Sequence, residues 1–390
     1  MSWHEKLTLI VGGQTLSGWV NARVSRGIEQ FPSDFELEVT DLQPDGGVAR
    51  IRPGDACTVR IGSDLVVTGY IDRYAAQIAP GDHKITVMGR SKCQDLVDCA
   101  AVADGSQIVA ASVLQLAQDL GKPYGITAVG EAGPAVQQFN LNLGESSWEI
   151  IDRVTRYNQL LAYDQPDGSL RLAKLGTERH ASGFVQGVNV QAASVVYSMD
   201  QRFSEYVAVY MSVDRMVEAG AGGNQVATVR DEGVPRFRRR IIASEQATNT
   251  GVSVAKLRAE WECSRRMGRS FQVTLTCDSW RDKDGRLWEP NTLAQVDIPA
   301  LHIRNKQWVI GSVSYLRNGS SGTTAQVTLL PPEAFTPEPG VLNPFSADKQ
   351  RDIDESRTAA VATPAAPGPR YWPPGPSGSP PISSSVGPGI

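Results

Sequence analysis

The chain has 390 residues, enough for two to four domains at ~100–200 residues each. With 41% hydrophobic and 21% charged residues it matches an average globular protein and has material for a sizeable core, while a formal net charge of −4 provides no general basic surface for phosphates or an anionic membrane. No run of about 18 apolar residues occurs, and the opening Met1-Ser2-Trp3-His4-Glu5-Lys6 lacks the basic-then-apolar plan of a signal peptide, so we expect synthesis in a cytoplasm, no membrane insertion and no specific nucleic-acid binding.

The first hundred residues predict β-structure. Leu7, Leu9 and Val11 alternate with polar residues up to Gly12-Gly13, and the run Leu16 to Val20 follows as the return arm of a hairpin. Phe35, Leu37 and Val39 alternate with Glu36, Glu38 and Thr40, giving a strand with one apolar and one largely acidic face. Further strands are expected at Ala56–Ile61, Leu65–Tyr74 and Lys84–Gly89, separated by the turn sequences Gly62-Ser63-Asp64 and Pro80-Gly81-Asp82. Short strands with such regular turns point to a small β-barrel over residues 1–100.

The period then changes. Ala110, Val113, Leu114, Ala117 and Leu120 form one helical stripe that Gly121 and Pro123 stop. Ser146-Ser147-Trp148-Glu149 is a capping box, in which a serine hydroxyl and the glutamate carboxylate satisfy free amides at a helix start, and Ile150, Ile151, Val154, Tyr157 and Leu161 follow as the buried stripe. Asp167-Gly168 is a hairpin turn between Leu161–Asp164 and Ser169–Lys174. Residues 101–195 therefore read as an α+β middle domain. Residues 196–269 read as connecting strands and a helix from Ser253 to Met267, with Val254, Leu257 and Trp261 inward and Gly268 at its end. On its outer face Lys256–Glu260, Arg258–Glu262 and Glu262–Arg266 are spaced to pair. Strands resume at Ser270–Thr276, Leu293–Ile298, Gln307–Leu316 and Thr324–Leu329, a second barrel over 270–336.

That last series repeats the first. Pro53-Gly54-Asp55 and the Val59-x-Ile61 ending match Pro290-Asn291-Thr292 and Val296-x-Ile298. Aligning Gly69 with Gly311 brings Val67–Ile71 onto Val309–Val313 and Ile85–Val87 onto Val327–Leu329, with about five extra residues between Ile298 and Gln307. The expected fold is thus β-rich α+β: two related small β-barrels, an intervening α+β region and a Pro-rich disordered tail over 337–390. Within that tail, Pro364 to Ile390 holds nine Pro, five Gly and five Ser, which cannot bury enough apolar surface to order itself. The aromatic pair Tyr371-Trp372 could dock on a partner or stay solvated, and the charged run Asp348 to Thr358 could form a short helix. Deletion from Thr336 onward is expected to leave the thermal midpoint nearly unchanged and to weaken attachment to a partner.

Catalytic chemistry is hard to find. His4, His83, His180 and His302 lie on separate segments and read as surface or loop residues, and the five cysteines, Cys57, Cys93, Cys99, Cys263 and Cys277, show no CxxC or Cys/His cluster and read as small buried hydrophobes. Gly220-Ala221-Gly222-Gly223 lacks the context of a phosphate loop. A glycosidase needs two carboxyls roughly 5–9.5 Å apart, but of Glu145, Glu149 and Asp152 the first two are explained by their place at a helix start. Arg236-Phe237-Arg238-Arg239-Arg240 suits a strand with one cationic face, either solvated and salt-bridged, lining a channel, or meeting acidic neighbours. No catalytic, cofactor-binding or metal site is expected.

Two stretches carry a family resemblance. Arg258-Ala259-Glu260-Trp261-Glu262-Cys263-Ser264-Arg265-Arg266-Met267-Gly268-Arg269-Ser270 resembles the helix-to-strand passage of contractile-phage baseplate hub proteins of the Mu protein P type. Asp284-Gly285-Arg286-Leu287-Trp288-Glu289-Pro290-Asn291, with Val296, Ile298 and Pro299, is similar to the entry to the second barrel in that family. The resemblance spans residues 5 to 336 and implies a non-enzymatic virion component, a homotrimer whose two barrels per subunit make a pseudo-sixfold ring between the sixfold tail tube and the threefold central spike. Adjoining baseplate proteins would be its other partners. A tail-associated cell-wall glycoside hydrolase and the hub of a phage-derived injection particle (tailocin) are the alternatives.

Overall fold

In the computed structural model, which describes residues 6–40, 51–80, 82–102, 107–133, 135–140, 144–157, 160–211, 224–244 and 252–335, the alternating apolar runs are strands. β1 (Leu7–Val11) buries Leu7, Leu9 and Val11. Gly12 and Gly13 turn the chain at φ of 56° and 80°, and β2 (Gln14–Leu16) returns antiparallel with Leu16 opposite Leu9. The expected return arm to Val20 ends at Leu16, because Gly18 at φ 91° redirects the chain and leaves Val20 exposed. β3 (Asn21–Gly27), β4 (Asp34–Thr40), β5 (Ala56–Ile61), β6 (Asp64–Ala79) and β7 (Asp82–Ser91) complete the first repeat.

A short helix α1 (Gln94–Asp98) leads into the middle region: β8 (Gln107–Ser112), α2 (Val113–Gly121), β9 (Ala128–Gly130), β10 (Ala135–Asn140), α3 (Ser147–Tyr157), β11 (Leu161–Asp164) and β12 (Leu170–Ala173). Ala110 lies in β8 and not on the helical stripe, since Ser112 accepts from the Gln115 amide and starts α2 after it. The capping box forms in both directions: the Ser146 amide donates to the Glu149 carboxylate (2.8 Å) and the Glu149 amide to the Ser146 hydroxyl (3.2 Å). Ile150, Ile151 and Val154 pack with Val113, Leu116 and Leu120 in a core of their own. Leu161 belongs to the β11–β12 hairpin, which Gly168 turns at φ 81°.

The chain continues through β13 (Phe184–Val185), β14 (Val190–Tyr197), β15 (Glu205–Met211), β16 (Asn224–Arg230), β17 (Arg239–Ser244), α4 (Val252–Arg269), β18 (Phe271–Cys277), β19 (Leu293–Ile298), β20 (Ile303–Asn318) and β21 (Gly322–Leu330). Two helix expectations change. Gly268 lies inside α4, where a Cβ would overlap the Ala334 amide, so the glycine serves close packing and not termination. Trp261 is half-buried, with the guanidinium groups of Arg258 and Arg265 at 4.8 and 5.4 Å from its ring centroid. Lys256–Glu260 (3.7 Å) and Glu262–Arg266 (2.5 Å) pair as spaced. The side chains of Val254 and Leu257, Gly81, the Gly220–Gly223 run, the Asp348–Thr358 run, Tyr371-Trp372 and the tail from Thr336 lie outside the described residues.

Both repeats belong to one 13-stranded sheet of order β14-β18-β21-β20-β3-β4-β7-β6-β5-β1-β2, with β19 and β13 branching from β20. The two expected barrels therefore do not close on themselves among the described residues. The physical reason is β20, whose second half leaves β19 and pairs with β3 of the other repeat. One core runs under both repeats, from Leu9, Val59 and Ile61 to Val296, Ile298 and Tyr315.

The backbone bonds of the two repeats correspond closely. Gly54 N–H donates to Ile71 O and Ile71 N–H to Asp55 O; Asn291 N–H donates to Ile310 O and Ile310 N–H to Thr292 O. Gly54 and Asn291 both take positive φ, 92° and 63°. The ladders then slip immediately after the same residue, between Ile71 and Arg73 and between Ile310 and Ser312. Thus Val59 and Ile61 do correspond to Val296 and Ile298, all buried, but Ile71 corresponds to Ile310. The expected equivalence of Gly69 and Gly311 is overturned: Gly69 corresponds to Trp308, and Gly311 to the bulged Asp72. Val87 likewise corresponds to Val327 and not to Leu329, through Leu37↔Val87 and Leu275↔Val327. Following the ladder outward, Phe35 corresponds to Val273 and Val24 to Val195, which makes β14 the second-repeat copy of β3.

Candidate assembly site

Several of the described residues singled out for chemistry have structural partners. Glu149 caps α3, Glu145 pairs with Arg153 (2.9 Å) and Asp152 with Arg156 (2.9 Å), so all three carboxylates are tied to that helix and its ends. Cys57, Cys93 and Cys277 are buried, and burial pushes the Cys57 thiol up to about 12, far from a reactive thiolate. No group of three or more His, Cys, Asp or Glu able to hold a metal occurs among the described residues, and none of their helices is long and apolar enough to cross a membrane. The basic run does not make one cationic strand face, since β17 begins at Arg239 and Arg239 and Arg240 point to opposite sides; Arg239 meets Glu205 (2.7 Å), Arg240 meets Glu262 (3.1 Å), and Arg238 donates to the Asp200 carbonyl (2.9 Å).

His180 departs from its expected place on the surface. Its ring is buried against Trp288, with 4.7 Å between ring centroids, and Nδ1 lies 3.0 Å from Asp282 Oδ2. Burial lowers the imidazole pKa, against the opposing hydrogen bond that Asp282 accepts. Burial alone would raise Asp282, but His180 and the Arg286, Ala181 and Asp284 amides outweigh it and hold the carboxyl below its usual range. The unfolded chain therefore binds more protons than the fold once pH drops below the free imidazole value of about 6.5. The neutral ring contributes its stability fully above that value, and the contribution is lost as pH falls toward the folded pKa. Urea midpoints between pH 7.5 and 5 should fall more steeply for the native protein than for His180→Gln; parallel curves would contradict this.

What remains is the sheet's own hydrogen bonding. At the seam between repeats β20 runs antiparallel to β3, with Val313 opposite Arg26, Tyr315 opposite Val24 and Arg317 opposite Ala22. Tyr315 and Val24 are fully buried, and the Ser25 and Ser314 hydroxyls meet at 2.8 Å. The corresponding parts of the other two strands have no such neighbour among the described residues. Beyond Ile71, β6 is paired only by β7, leaving Arg73 and Ala75 to Ala79 exposed, and Ile78 is 83% exposed. Apart from a bridge between Val190 and Gln186, β14 is paired among the described residues by β18 alone, and Val196 and Tyr197 are more than half exposed. Each chain thus holds one completed seam and, in β6 and β14, two strand edges that correspond to the strands forming it. Unpaired edges of this length bearing apolar side chains invite strand pairing.

Three family models match the chain: the N-terminal domain of Mu phage baseplate assembly protein GpP-like proteins over residues 6–91, the second domain of baseplate hub protein gp44-like proteins over 93–174, and the fourth domain of Mu phage baseplate assembly protein GpP over 251–338. Baseplate hub protein gp44 of Escherichia phage Mu is 32% identical over 357 residues, spanning 88% of this chain and 91% of that protein. A 43 kDa tail protein of prophage MuSo2 from Shewanella oneidensis is 29% identical with a TM-score of 0.76, covering 85% of this chain and 99% of the other. A tail protein from Neisseria meningitidis MC58, 19% identical with a TM-score of 0.70 over 85% and 98% of the two chains, shares the fold.

Proposed function

The chain belongs to the family of phage baseplate hub proteins that includes gp44 of phage Mu, and from that premise we propose that it is a structural, non-enzymatic hub of a contractile tail, forming a homotrimeric ring between the sixfold tail tube and the threefold central spike. The correspondence of these two edges to the seam carries this reading. Copying the completed seam onto the free edges pairs β6 of one subunit with β14 of the next. Transferring the β20–β3 register places Tyr74 opposite Tyr197, Ala76 opposite Val195 and Ile78 opposite Ala193. Tyr74, Ala193 and Val195 already pack at the margin of the main core, so this pairing extends that core across the subunit boundary. Three chains then supply six repeats joined by alternating internal and intermolecular seams. Such a ring presents six similar faces to a tube and three identical ones to a spike, and closure removes the exposed edges. Its place would be the tail baseplate of the virion, with the spike, the tube and adjoining baseplate proteins as partners.

Light scattering on the purified protein, alone and with its spike, tests the assembly state. Three times the subunit mass is expected for the protein alone, and that mass plus the spike's when both are present; one subunit per particle under both conditions would contradict the ring.

A further inference from the structure

The internal seam continues one residue past β3. There the Ile28 N–H donates to the Gly311 carbonyl at 2.9 Å, and the Ile28 side chain is buried in one cluster with Val309, Ala334 and Phe335. A Cβ at Gly311 would lie 2.5 Å from Phe335 Cζ, so the bulge residue leaves its space to the turn that follows β21. The correspondence that sets Val24 on Val195 and Ile310 on Ile71 also sets Ile28 on Met199, Val309 on Tyr70, Gly311 on Asp72 and Leu330 on Arg90. Met199 is 43% exposed and Tyr70 half-buried. Asp72 holds the Arg90 guanidinium at 2.7 Å, and Arg90 also reaches Asp98 of α1 at 2.7 Å, so one guanidinium serves two carboxylates. On the other edge Arg238 donates to the carbonyls of Met199 and Asp200 and sits 4.9 Å from the Phe203 ring centroid, with no carboxylate partner among the described residues.

We propose that the seam between copies is closed at this end by Met199 and Arg238 of one subunit seated against Tyr70 and Asp72 of the next, a contact that rests on the ring proposed above. The Met199 N–H takes the part of the Ile28 N–H and donates to the Asp72 carbonyl. Its flexible thioether chain covers the Tyr70 ring and the methylene stem of Arg90, which stands where Leu330 stands in the internal seam. The guanidinium fixed to the Met199 carbonyl is then set beside the Asp72 carboxylate. That carboxylate accepts from Arg90 through one oxygen and has capacity for a second guanidinium. The difference between the seams has a physical reason. An apolar plug like Ile28 on Phe335 forms inside one chain and is never bare, whereas a charged contact leaves a free subunit without a large apolar patch until it meets its neighbour.

Sedimentation of the full-length protein over a dilution series, alone and with its spike, measures subunit association. Met199→Glu alters a side chain that is exposed in the free subunit and sets a carboxylate against Asp72. It should weaken association at least about tenfold, as should Arg238→Gln and Asp72→Asn. The double variant Arg238→Gln/Asp72→Asn should be at most about twofold weaker than the weaker single one, because both changes remove one contact. Arg238 and Asp72 also bond within the subunit, so the Met199 variant decides alone if either of the others fails to fold. Native association of Met199→Glu, or fully additive losses in the double variant, would overturn the contact while a trimeric native protein left the ring standing. Trimers of Met199→Glu that no longer carry the spike would assign the site to the spike and overturn it too. One subunit per particle for the native protein under both conditions would remove the ring and this contact with it.

Discussion

Replacing Ala76 with aspartate is expected to leave the subunit folded and to abolish the ring. Ala76 is exposed on the free part of β6, so a carboxylate there stays in water in the isolated chain. In the closed ring it takes the position that Tyr315 holds at the internal seam, where the side chain is wholly buried. Facing Val195, the carboxylate would have no partner, and burying an unpaired charge costs several kcal/mol or more. A ring of three carries that cost at every seam. Gln77 points to the opposite face of the strand, so Gln77→Asp is the matched control and should keep the native mass. Sedimentation of the two variants beside the native protein decides the matter: a native mass for Ala76→Asp would contradict the proposed register.

Gly69→Ala should cost stability in the subunit itself, by roughly 3 kcal/mol or more. Gly69 is buried in β6 between Cys57 of β5 and Ser91 of β7. A Cβ there would overlap the Arg90 carbonyl oxygen and lie 2.8 Å from the Ser91 Cα, and backbone in a central ladder cannot yield as a side chain can. Arg90 is further held by Asp72 and Asp98, each at 2.7 Å. At Gly311 an added Cβ meets mainly side chain, Phe335 Cζ at 2.5 Å and Leu330 Cδ1 at 3.3 Å, as well as lying in the bulge where the ladder is already distorted. Gly311→Ala should therefore cost less, about 1–2 kcal/mol. Urea denaturation of both variants measures the difference, and similar midpoints would show that the two glycines are under the same constraint after all.

That contrast also explains what could be read from the sequence. Alternation located β4, β5 and β19 because their apolar residues face one core, and the capping box located α3 because its two hydrogen bonds are local. β3 was missed: Asn-Ala-Arg-Val-Ser-Arg-Gly offers one large apolar side chain, and its burial comes from lying between β4 and β20, with Ser25 satisfied by Ser314. The repeat was legible, but aligning it on Gly69 and Gly311 missed a three-residue offset that only the backbone bonds of Ile71 and Ile310 reveal. Helical periodicity turned Trp261 inward; it had no means of showing the arginines that cover it. The free edges of β6 and β14 carry no local signal, because an edge is defined by the neighbour it lacks. The internal repeat was their only trace in the sequence.

The most direct measurement joins the two edges covalently. With cysteines at Ala76 and Val195, strand neighbours across the proposed seam should lie about 4.5–5.5 Å apart at Cα, within reach of a disulfide. Within one subunit the same positions belong to the two open halves of the seam, so a bond between them has to link different chains. Mild oxidation should yield a closed covalent trimer on a non-reducing denaturing gel, absent from the single-cysteine variants and reversed by reductant. A gel showing only single chains, or the same pattern from the single-cysteine variants, would contradict a ring closed through β6 and β14.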